Sequence, residues 1–152
     1  MIDPQGSEWA EFIRGCISGI EKVLLFDRLH GDASARTFYR VSGTPDPCVL
    51  IVHPDPPRHE GRDVDENDTW VYMARLLRQV GGDPPQVHGY DREQGLILCE
   101  DVGDEHLQGE VQRREAGCSW TRETYRRLLE LLAVIQAEGA RRFDPEKTFN
   151  PT

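Results

Sequence analysis

Apolar residues spaced three and four positions apart predict three helices. The first begins near Ser7 and ends near Gly19, and its inner positions are Trp9, Phe12, Ile13, Cys16, Ile17 and Ile20. The second ends at Gly81-Gly82, and its inner positions are Trp70, Met73, Ala74, Leu77 and Val80. The third begins near Ser119 or Thr121 and carries Tyr125, Leu128, Leu129, Leu132, Ile135 and Gln136 on its inner face.

Five short runs, apolar or alternating between apolar and polar residues, predict strands. They cover residues 22–29, 34–41, 48–53, 86–90 and 95–100. Their connections are short enough for hairpins except between the third and fourth runs, where the second helix is inserted. We therefore predict an α+β fold, with a mainly antiparallel five-stranded sheet, one inserted helix, and flanking helices on its N-terminal and C-terminal sides. Residues 103–118 are polar and are predicted to be irregular.

Composition and net charge limit the classes of molecule that the chain is expected to bind. A chain of 152 residues can bury one core of its own. Its formal charge of −9 disfavours binding to nucleic acid or to an anionic membrane. Sixteen of the 18 basic residues are arginine, whose planar guanidinium suits a local site for carboxylate or phosphate.

The cysteines and histidines indicate no metal site and no hydrolytic triad. Cys16, Cys48, Cys99 and Cys118 lack the C-x-x-C spacing of zinc or redox sites, so we expect reduced, mostly buried thiols. His30, His53, His59, His88 and His106 have no helical pairing and no evident nucleophile beside them. The N-terminus lacks the basic and apolar segments of a signal peptide, and no apolar run is long enough to cross a bilayer, so we expect a cytoplasmic protein.

One candidate site is a turn of small residues, Gly31-Asp32-Ala33-Ser34, that is followed by Arg36 and Arg40. Such a turn between two strands can bring backbone N–H groups to a phosphate, and the arginines can add charge. An ordinary hairpin with two solvated arginines is the alternative interpretation. The overlapping His30-Gly31-Asp32 is similar to the His-x-Asp of a phosphotransfer loop, but Thr37 stands where that loop has its metal-binding asparagine, which excludes the role.

A second candidate is the apolar strand at residues 95–100, which ends abruptly in the acidic run Glu100 to Asp104. Its backbone could bind a planar base while Leu96 to Leu98 form an apolar wall. A buried strand followed by a solvated acidic turn is the alternative. The acidic residues of the central loop, such as Glu66 and Asp68, lack the ordered spacing of an oxygen-ligand metal site.

Together these segments resemble the aminoglycoside phosphotransferase-like kinases, and most closely the bacterial N-acetylmuramate/N-acetylglucosamine anomeric sugar kinases of cell-wall recycling. The motifs that carry the resemblance are Gly31-Asp32-Ala33-Ser34-x-Arg36 with Tyr39-Arg40, Leu50-Ile51-Val52 followed by Pro56-Pro57, Leu76-Leu77-Arg78 with Gly82 and Pro85, and the run from Gly95 to Asp104. The resemblance covers residues 25–107 and continues weakly through residues 121–138. It implies a kinase-like N-terminal lobe of five strands and one helix.

The resemblance also implies a nucleotide site. Residues 31–34 with Arg36, in particular Gly31, Asp32, Ala33 and Ser34, match the loop that covers the phosphates of ATP. Glu100, Asp101 and Val102 match the hinge that contacts adenine through its backbone. His53 stands where many such kinases have a lysine, and a largely neutral imidazole does not replace that charge at neutral pH. Arg36 or Arg40 is the expected substitute, and the partner glutamate of the inserted helix is not placed, Glu66 and Asp68 being nearby candidates.

The sequence lacks the catalytic loop and the metal-binding aspartate motif of the resembled family. Neither Asn67 nor Asn150 follows a His-x-Asp at the required distance, and the downstream metal-binding aspartate motif is absent. The resemblance therefore implies an N-terminal helix at 1–20, a nucleotide-binding lobe at 21–107, and a linker and helix at 108–152 that lead to a missing C-terminal lobe. No catalytic or metal-binding residue is assigned within these 152 residues, and the Mg²⁺ ligands are expected in that lobe.

Two functional hypotheses follow, with an accidental motif match in an unrelated α+β binding protein as a third. The first is the nucleotide-binding lobe of an ATP-dependent sugar phosphotransferase, truncated before its catalytic loop and inactive alone, which binds ATP or ADP and meets an amino sugar only with a second lobe. The second is a degenerate kinase-like interaction module without catalysis, which forms a homodimer or pairs with another chain.

Overall fold

The structure, a computed structural model, describes residues 4–20, 23–30, 35–53, 64–115 and 117–149. The chain divides into two compact units. The sheet unit comprises Met1–Ala74, Pro85–Asp101 and Glu146–Thr152, and the helical unit comprises Arg75–Pro84 and Val102–Pro145.

The sheet unit is built on five strands whose pairings are all antiparallel. In chain order the elements are helix α1 (Pro4–Cys16), strands β1 (Leu25–Leu29), β2 (Thr37–Ser42) and β3 (Cys48–Val52), helix α2 (Glu66–Gln79), and strands β4 (Val87–Asp91) and β5 (Leu96–Glu100). The strand order across the sheet is β1-β2-β3-β5-β4. The predicted mixed fold, with a five-stranded antiparallel sheet and a helix inserted between the third and fourth strands, is confirmed.

Strands β3 and β5 pair at the centre of the sheet, where they are buried on both faces. One face, the α1 face, holds a cluster of buried residues from α1, the sheet and the residue before β1: Ile13, Leu24, Val41, Cys48, Leu50, Leu96 and Leu98. The opposite α2 face holds Ile51, Ile97 and Cys99 together with Val71 of α2. Alternate residues of one strand thus supply two cores, which explains why β3 and β5 are almost continuously apolar.

Helix α1 begins at Pro4 and ends at Cys16, so the predicted bounds of Ser7 and Gly19 were wrong at both ends. Proline at the first helical position is favourable, because that N–H has no partner within a helix. Ile17 and Ile20 lie beyond the helix but still pack against the α1 face. The ring of Trp9 packs against Phe26 and Tyr39, with centroid distances of 5.6 and 4.9 Å.

The closest approach of α1 to the sheet is at Gly89 of β4. A Cβ atom added to Gly89 would lie 2.1 Å from Sγ of Cys16 and 3.1 Å from its Cβ. The position therefore needs glycine for space, and the helix would otherwise have to move away from the sheet.

In the helical unit, α2 ends as the sequence predicts. Gly81 has a φ of +89°, and the N–H of Gly82 donates to the carbonyl of Leu77 at 2.8 Å. This left-handed termination satisfies a carbonyl at the helix end, and glycine adopts it without strain.

The same unit contains helices α3 (Leu107–Gln112) and α4 (Ser119–Val134). The prediction that residues 103–118 are irregular was therefore wrong at α3, which is only six residues long and carries no apolar stripe that would reveal it. Helix α4 continues through a π-helical turn at Ile135–Gly139 into a last α-helical turn at Ala140–Arg142. A 3₁₀ turn follows at Pro145–Lys147.

The segment after the 3₁₀ turn returns to the first half of α2. The N–H of Phe149 donates to Oγ1 of Thr69 at 2.6 Å, and that hydroxyl donates to the carbonyl of Asp65 at 3.0 Å. The ammonium of Lys147 lies 5.8 Å from the ring centroid of Tyr72. The described residues 146–149 belong to the sheet unit.

All four cysteines are reduced, and Cys48 and Cys99 are buried. Burial raises the pKa of the Cys99 thiol to about 12, and it also raises the pKa of Cys48. Cys118 differs: its pKa is lowered, chiefly by the hydrogen bond with the side chain of Thr121, 3.2 Å away.

Gly89→Ala is expected to destabilise the sheet unit by about 1–3 kcal/mol, because the new methyl group overlaps Cys16. Adding Cys16→Ala removes the overlapping sulfur and should recover part of the loss. Urea unfolding followed by circular dichroism measures both. Gly15→Ala in α1 is the matched control, since nothing lies within 4 Å of its added Cβ, and it should be neutral or stabilising. Equal effects at positions 15 and 89 would contradict the close approach.

Alkaline pH is expected to destabilise the protein through Cys99. The unfolded thiol ionises near pH 9 and the folded one only near pH 12, so the unfolding free energy falls as pH rises through that interval, by at most about 1.4 kcal/mol per pH unit for one thiol. Cys99→Val should flatten the slope between pH 9 and pH 11, as measured by urea unfolding. Cys118→Ser should leave it unchanged, and equal slopes for the two variants would exclude Cys99 as the source.

Candidate functional site

The α2 face carries most of the described residues of the predicted nucleotide site. The register pairs Phe38 with Ile51 and Arg40 with Val49. Because alternate residues of a strand share a face, Arg40 lies on the same face as Ile51, which belongs to the cluster beneath α2. Gly31, Asp32, Ala33 and Ser34 lie outside the described residues.

One end of this face brings Arg36 and His53 together. The last described pair between β2 and β3 is Thr37 with Val52, so the next residues outward, Arg36 and His53, stand opposite each other. The N–H of His53 donates to the carbonyl of Gly95 at 3.0 Å, which holds the end of β3 beside β5. Both residues thus lie just beyond the paired ends of β2 and β3, and residues 31–34 of the predicted phosphate loop precede Arg36 in the sequence.

Two polar atoms at this end are shielded from solvent. They are Nε of Arg36 and Nδ1 of His53, and Nδ1 has no hydrogen-bond partner among the described residues. A buried imidazole nitrogen without a partner costs free energy that a bound group can recover. The arrangement suits a ligand that is both anionic and able to form hydrogen bonds, such as a phosphate.

The other end of the face holds Arg40 and Asp101 in a paired contact. Nε of Arg40 lies 2.5 Å from Oδ2 of Asp101, and Nη2 lies 3.2 Å from Oδ1. The side chain reaches across β3, since Arg40 is opposite Val49 and Val49 is opposite Cys99. The carboxylate of Asp101 is nearly buried, with 7% of its side chain exposed. Such a bidentate pair fixes the residue that follows β5 to β2.

Arg40 is therefore separated from Arg36 and His53. Four residues of strand correspond to about 13 Å, so the backbone of Arg40 lies well along β2 from that of Arg36. The sequence analysis predicts that either Arg36 or Arg40 replaces the lysine of the resembled kinases. Extending the register by one pair sets Arg36 across from His53, whereas Arg40 pairs with Asp101.

The backbone N–H groups of Glu100 and Asp101, two of the predicted hinge residues, already have hydrogen-bond acceptors in this structure. The N–H of Glu100 donates to the carbonyl of Gln86 at 2.8 Å, and the N–H of Asp101 donates to the carbonyl of Pro47 at 3.2 Å. The carboxylate of Glu100 accepts a hydrogen bond from the N–H of Gln86. Val102, which begins the second segment of the helical unit, is 70% exposed. In this structure a base cannot use the N–H groups of Glu100 and Asp101.

The acidic residues at the start of α2 have a structural role that the sequence analysis missed. Oδ1 of Asp65 accepts from the N–H of Asp68 at 2.7 Å, and Oδ2 of Asp68 accepts from the N–H of Asp65 at 3.0 Å. This reciprocal cap begins the helix, and the Asp-x-x-Asp spacing before an apolar run was the available signal. Glu66, which lies between the two aspartates, is exposed.

The cap is also tied to the hairpin of β4 and β5. The hydroxyl of Tyr90 donates to Asp68 at 2.8 Å, and Nε of Arg92 lies 3.0 Å from the same carboxylate. Burial, followed by the hydrogen bond to Asp68, raises the pKa of Tyr90. Asp68 is therefore occupied by structural contacts, which argues against its assignment as the partner of a phosphate-binding cation.

Two other features, a metal-binding cluster and a membrane-spanning helix, are absent from the described residues. No group of three or more histidine, cysteine or acidic side chains is placed to hold a metal ion. No helix among the described residues is both long enough and apolar enough to cross a membrane.

Comparison with known proteins gives no relative for this chain: no family model, no curated protein and no solved structure matches it. Function must therefore be inferred from the residues and contacts of the α2 face.

Removing the cation of the Arg40 and Asp101 pair is expected to destabilise the protein strongly. Arg40→Met should cost about 3 kcal/mol, because it leaves a nearly buried carboxylate without its partner. The double variant Arg40→Met, Asp101→Leu should recover much of the loss, since no charge then remains buried. The matched control is Arg126→Met on α4, which breaks solvent-exposed ion pairs and should leave unfolding by urea unchanged. Similar losses at positions 40 and 126 would contradict a special role for the pair.

Proposed function

We propose that the chain is the nucleotide-binding lobe of an ATP-dependent sugar phosphotransferase of the cell-wall amino-sugar kinase type. The observation that carries the proposal is that Arg36 and His53 are the first residues beyond the last pair of β2 and β3, Thr37 with Val52, at one end of the α2 face. Both side chains have polar atoms shielded from solvent there. The sheet order, with a helix between β3 and β4, supports the same assignment.

In this proposal the two ends of the α2 face bind different parts of ATP or ADP. Arg36 supplies a charge-assisted hydrogen bond to a phosphate oxygen, and Nδ1 of His53 supplies a second polar contact. Between this end and the predicted hinge, where the base is to be bound, the partly buried Val49 offers an apolar contact, and Cys99 beside it is buried in the cluster beneath α2. Arg40 positions Asp101 and does not contact phosphate.

We expect binding without turnover. The 152 residues contain neither the catalytic loop nor the metal-binding aspartate motif of the resembled family, and phosphoryl transfer requires both positioning groups and metal-borne charge. An amino-sugar acceptor and the Mg²⁺ ligands belong to a second lobe.

The second candidate function is an interaction module without nucleotide binding. Helix α4 favours it, because this helix contains no buried residue while several of its large apolar side chains are exposed. The two candidates are alternatives, and a measurement of nucleotide binding distinguishes them.

Titration with ADP, with and without Mg²⁺, tests nucleotide binding. At a concentration about five times the dissociation constant, a bound nucleotide stabilises the native state by about 1 kcal/mol, which raises the melting temperature by a few degrees. Arg36→Gln should reduce affinity about tenfold by calorimetry, since one charge-assisted hydrogen bond is lost.

Arg28→Gln on β1 is the matched control, because it removes the same charge from an exposed position of the sheet. It should change affinity less than twofold, which is within the screening expected for a distant surface charge. If about 10 mM ADP or ATP leaves the melting temperature unchanged in both conditions, the chain is not a nucleotide-binding lobe.

A further inference from the structure

The first turn of α2 contains a buried amide whose oxygen has no partner. Asn67 is only 1% exposed, and its Oδ1 atom accepts no hydrogen bond from any described residue. Its neighbours Asp65 and Asp68 differ, because each accepts a hydrogen bond from the N–H of the other. A buried amide oxygen without a donor has lost its hydrogen bonds to water and gained none in return, which costs stability. The presence of Asn67 here therefore needs a reason other than the stability of the fold.

Asn67 lies on the side of α2 that faces the sheet. It precedes Val71 by one helical turn, and residues four apart share one side of a helix. Val71 packs in the buried cluster with Ile51 of β3 and Ile97 of β5. Asn67 is therefore directed toward the same two strands, one turn nearer the N-terminus of the helix.

That N-terminus lies at the end of the sheet that holds His53. The cap of α2 contacts Tyr90, near the end of β4, and Arg92, which follows β4. The ends of β4 and β3 lie together, because both strands pair their last residue with Leu96 at the start of β5. His53 is the next residue after β3. A step of one turn from the buried cluster toward the cap thus brings the amide toward His53.

This end of the α2 face therefore has an unpartnered polar atom from the helix and another from the sheet. They are Oδ1 of Asn67 and Nδ1 of His53. Both side chains can donate, since an amide can turn to present its NH₂ group and an imidazole can carry its proton on Nδ1. Arg36, across from His53, adds a positive charge. The carboxylates of the cap are already bonded to N–H groups and paired with Arg92. Donors beside a cation suit an oxyanion.

We propose that Asn67 is a phosphate-binding residue, which donates a hydrogen bond from α2 to the phosphate group that Arg36 and His53 bind from the sheet. The inference rests on the proposed nucleotide site and adds a third contact to it, from a different element. It also gives the buried amide a use. The side chain destabilises the fold without a ligand and recovers a hydrogen bond when an oxyanion binds.

Calorimetric titration of Asn67→Leu with ADP and with inorganic pyrophosphate tests the contact. We expect the affinity for both to fall about fivefold, since one hydrogen bond to phosphate is lost. Pyrophosphate has no base, so a loss shared by the two ligands places the contact at the phosphates. Asn67→Ala removes the amide without adding bulk and should give the same loss, which shows that leucine does not act by blocking the site. Circular dichroism checks that both variants remain folded.

Thr69→Val is the matched control, because it replaces another polar residue of the same helical turn with an apolar one. The hydroxyl of Thr69 bonds to Phe149 and Asp65, so this variant should unfold at a lower urea concentration and keep its ADP affinity within twofold. Asn67→Leu should show the opposite pattern, with an unfolding midpoint that is unchanged or raised and a reduced affinity. A lowered midpoint with unchanged affinity would mean that the amide holds a structural water, and would overturn the proposal.

The outcomes separate this inference from the function on which it rests. If neither ADP nor pyrophosphate binds the unsubstituted chain, the nucleotide site and the role of Asn67 fail together. If ADP binds and both substitutions at position 67 leave its affinity unchanged, only the role of Asn67 fails, and the phosphate is bound by the sheet residues alone.

Discussion

The pairing of β3 with β5 is the contact on which the rest of the sheet unit depends. Both strands are buried on both faces, so each needs a cover on two sides, and α1 and the first half of α2 supply those covers. The chain has to leave the sheet after β3, pass along α2, and return through β4 before β5 can enter the centre. The crossover and the helix are thus consequences of one strand pairing.

The same pairing determines the geometry of the candidate site. Because β3 lies between β2 and β5, a long side chain on β2 can meet the end of β5 only by crossing β3, and Arg40 does so to reach Asp101. The register also leaves Arg36 and His53 as the first residues beyond the paired strands. Polar residues of the site therefore lie at the two ends of the face, and an apolar stretch lies between them.

Much of the fold could be predicted from sequence, because its elements carry strong local signals. The apolar run of β5, the turn before it and the glycines after α2 each identify an element without reference to the rest of the chain. Helix α3 has no such signal. Helix α1 begins at Pro4 and not at the predicted Ser7, because proline is also suited to the first helical position. The partnership of Arg40 with Asp101 could not be predicted, since it spans 61 residues and depends on register. The residues at the site were thus identifiable by type, but their grouping was not.

The contacts at the start of α2 bear on how this helix can move. Its cap is bonded to the hairpin through Tyr90 and Arg92, and Thr69, the fourth residue of the helix, accepts a hydrogen bond from the N–H of Phe149. A rotation of α2 away from the sheet would break several partly buried hydrogen bonds at once. Both sets of contacts fix the N-terminal end of α2, so a ligand bound beside that end would meet a preformed surface, whose ordering entropy is lost when the protein folds.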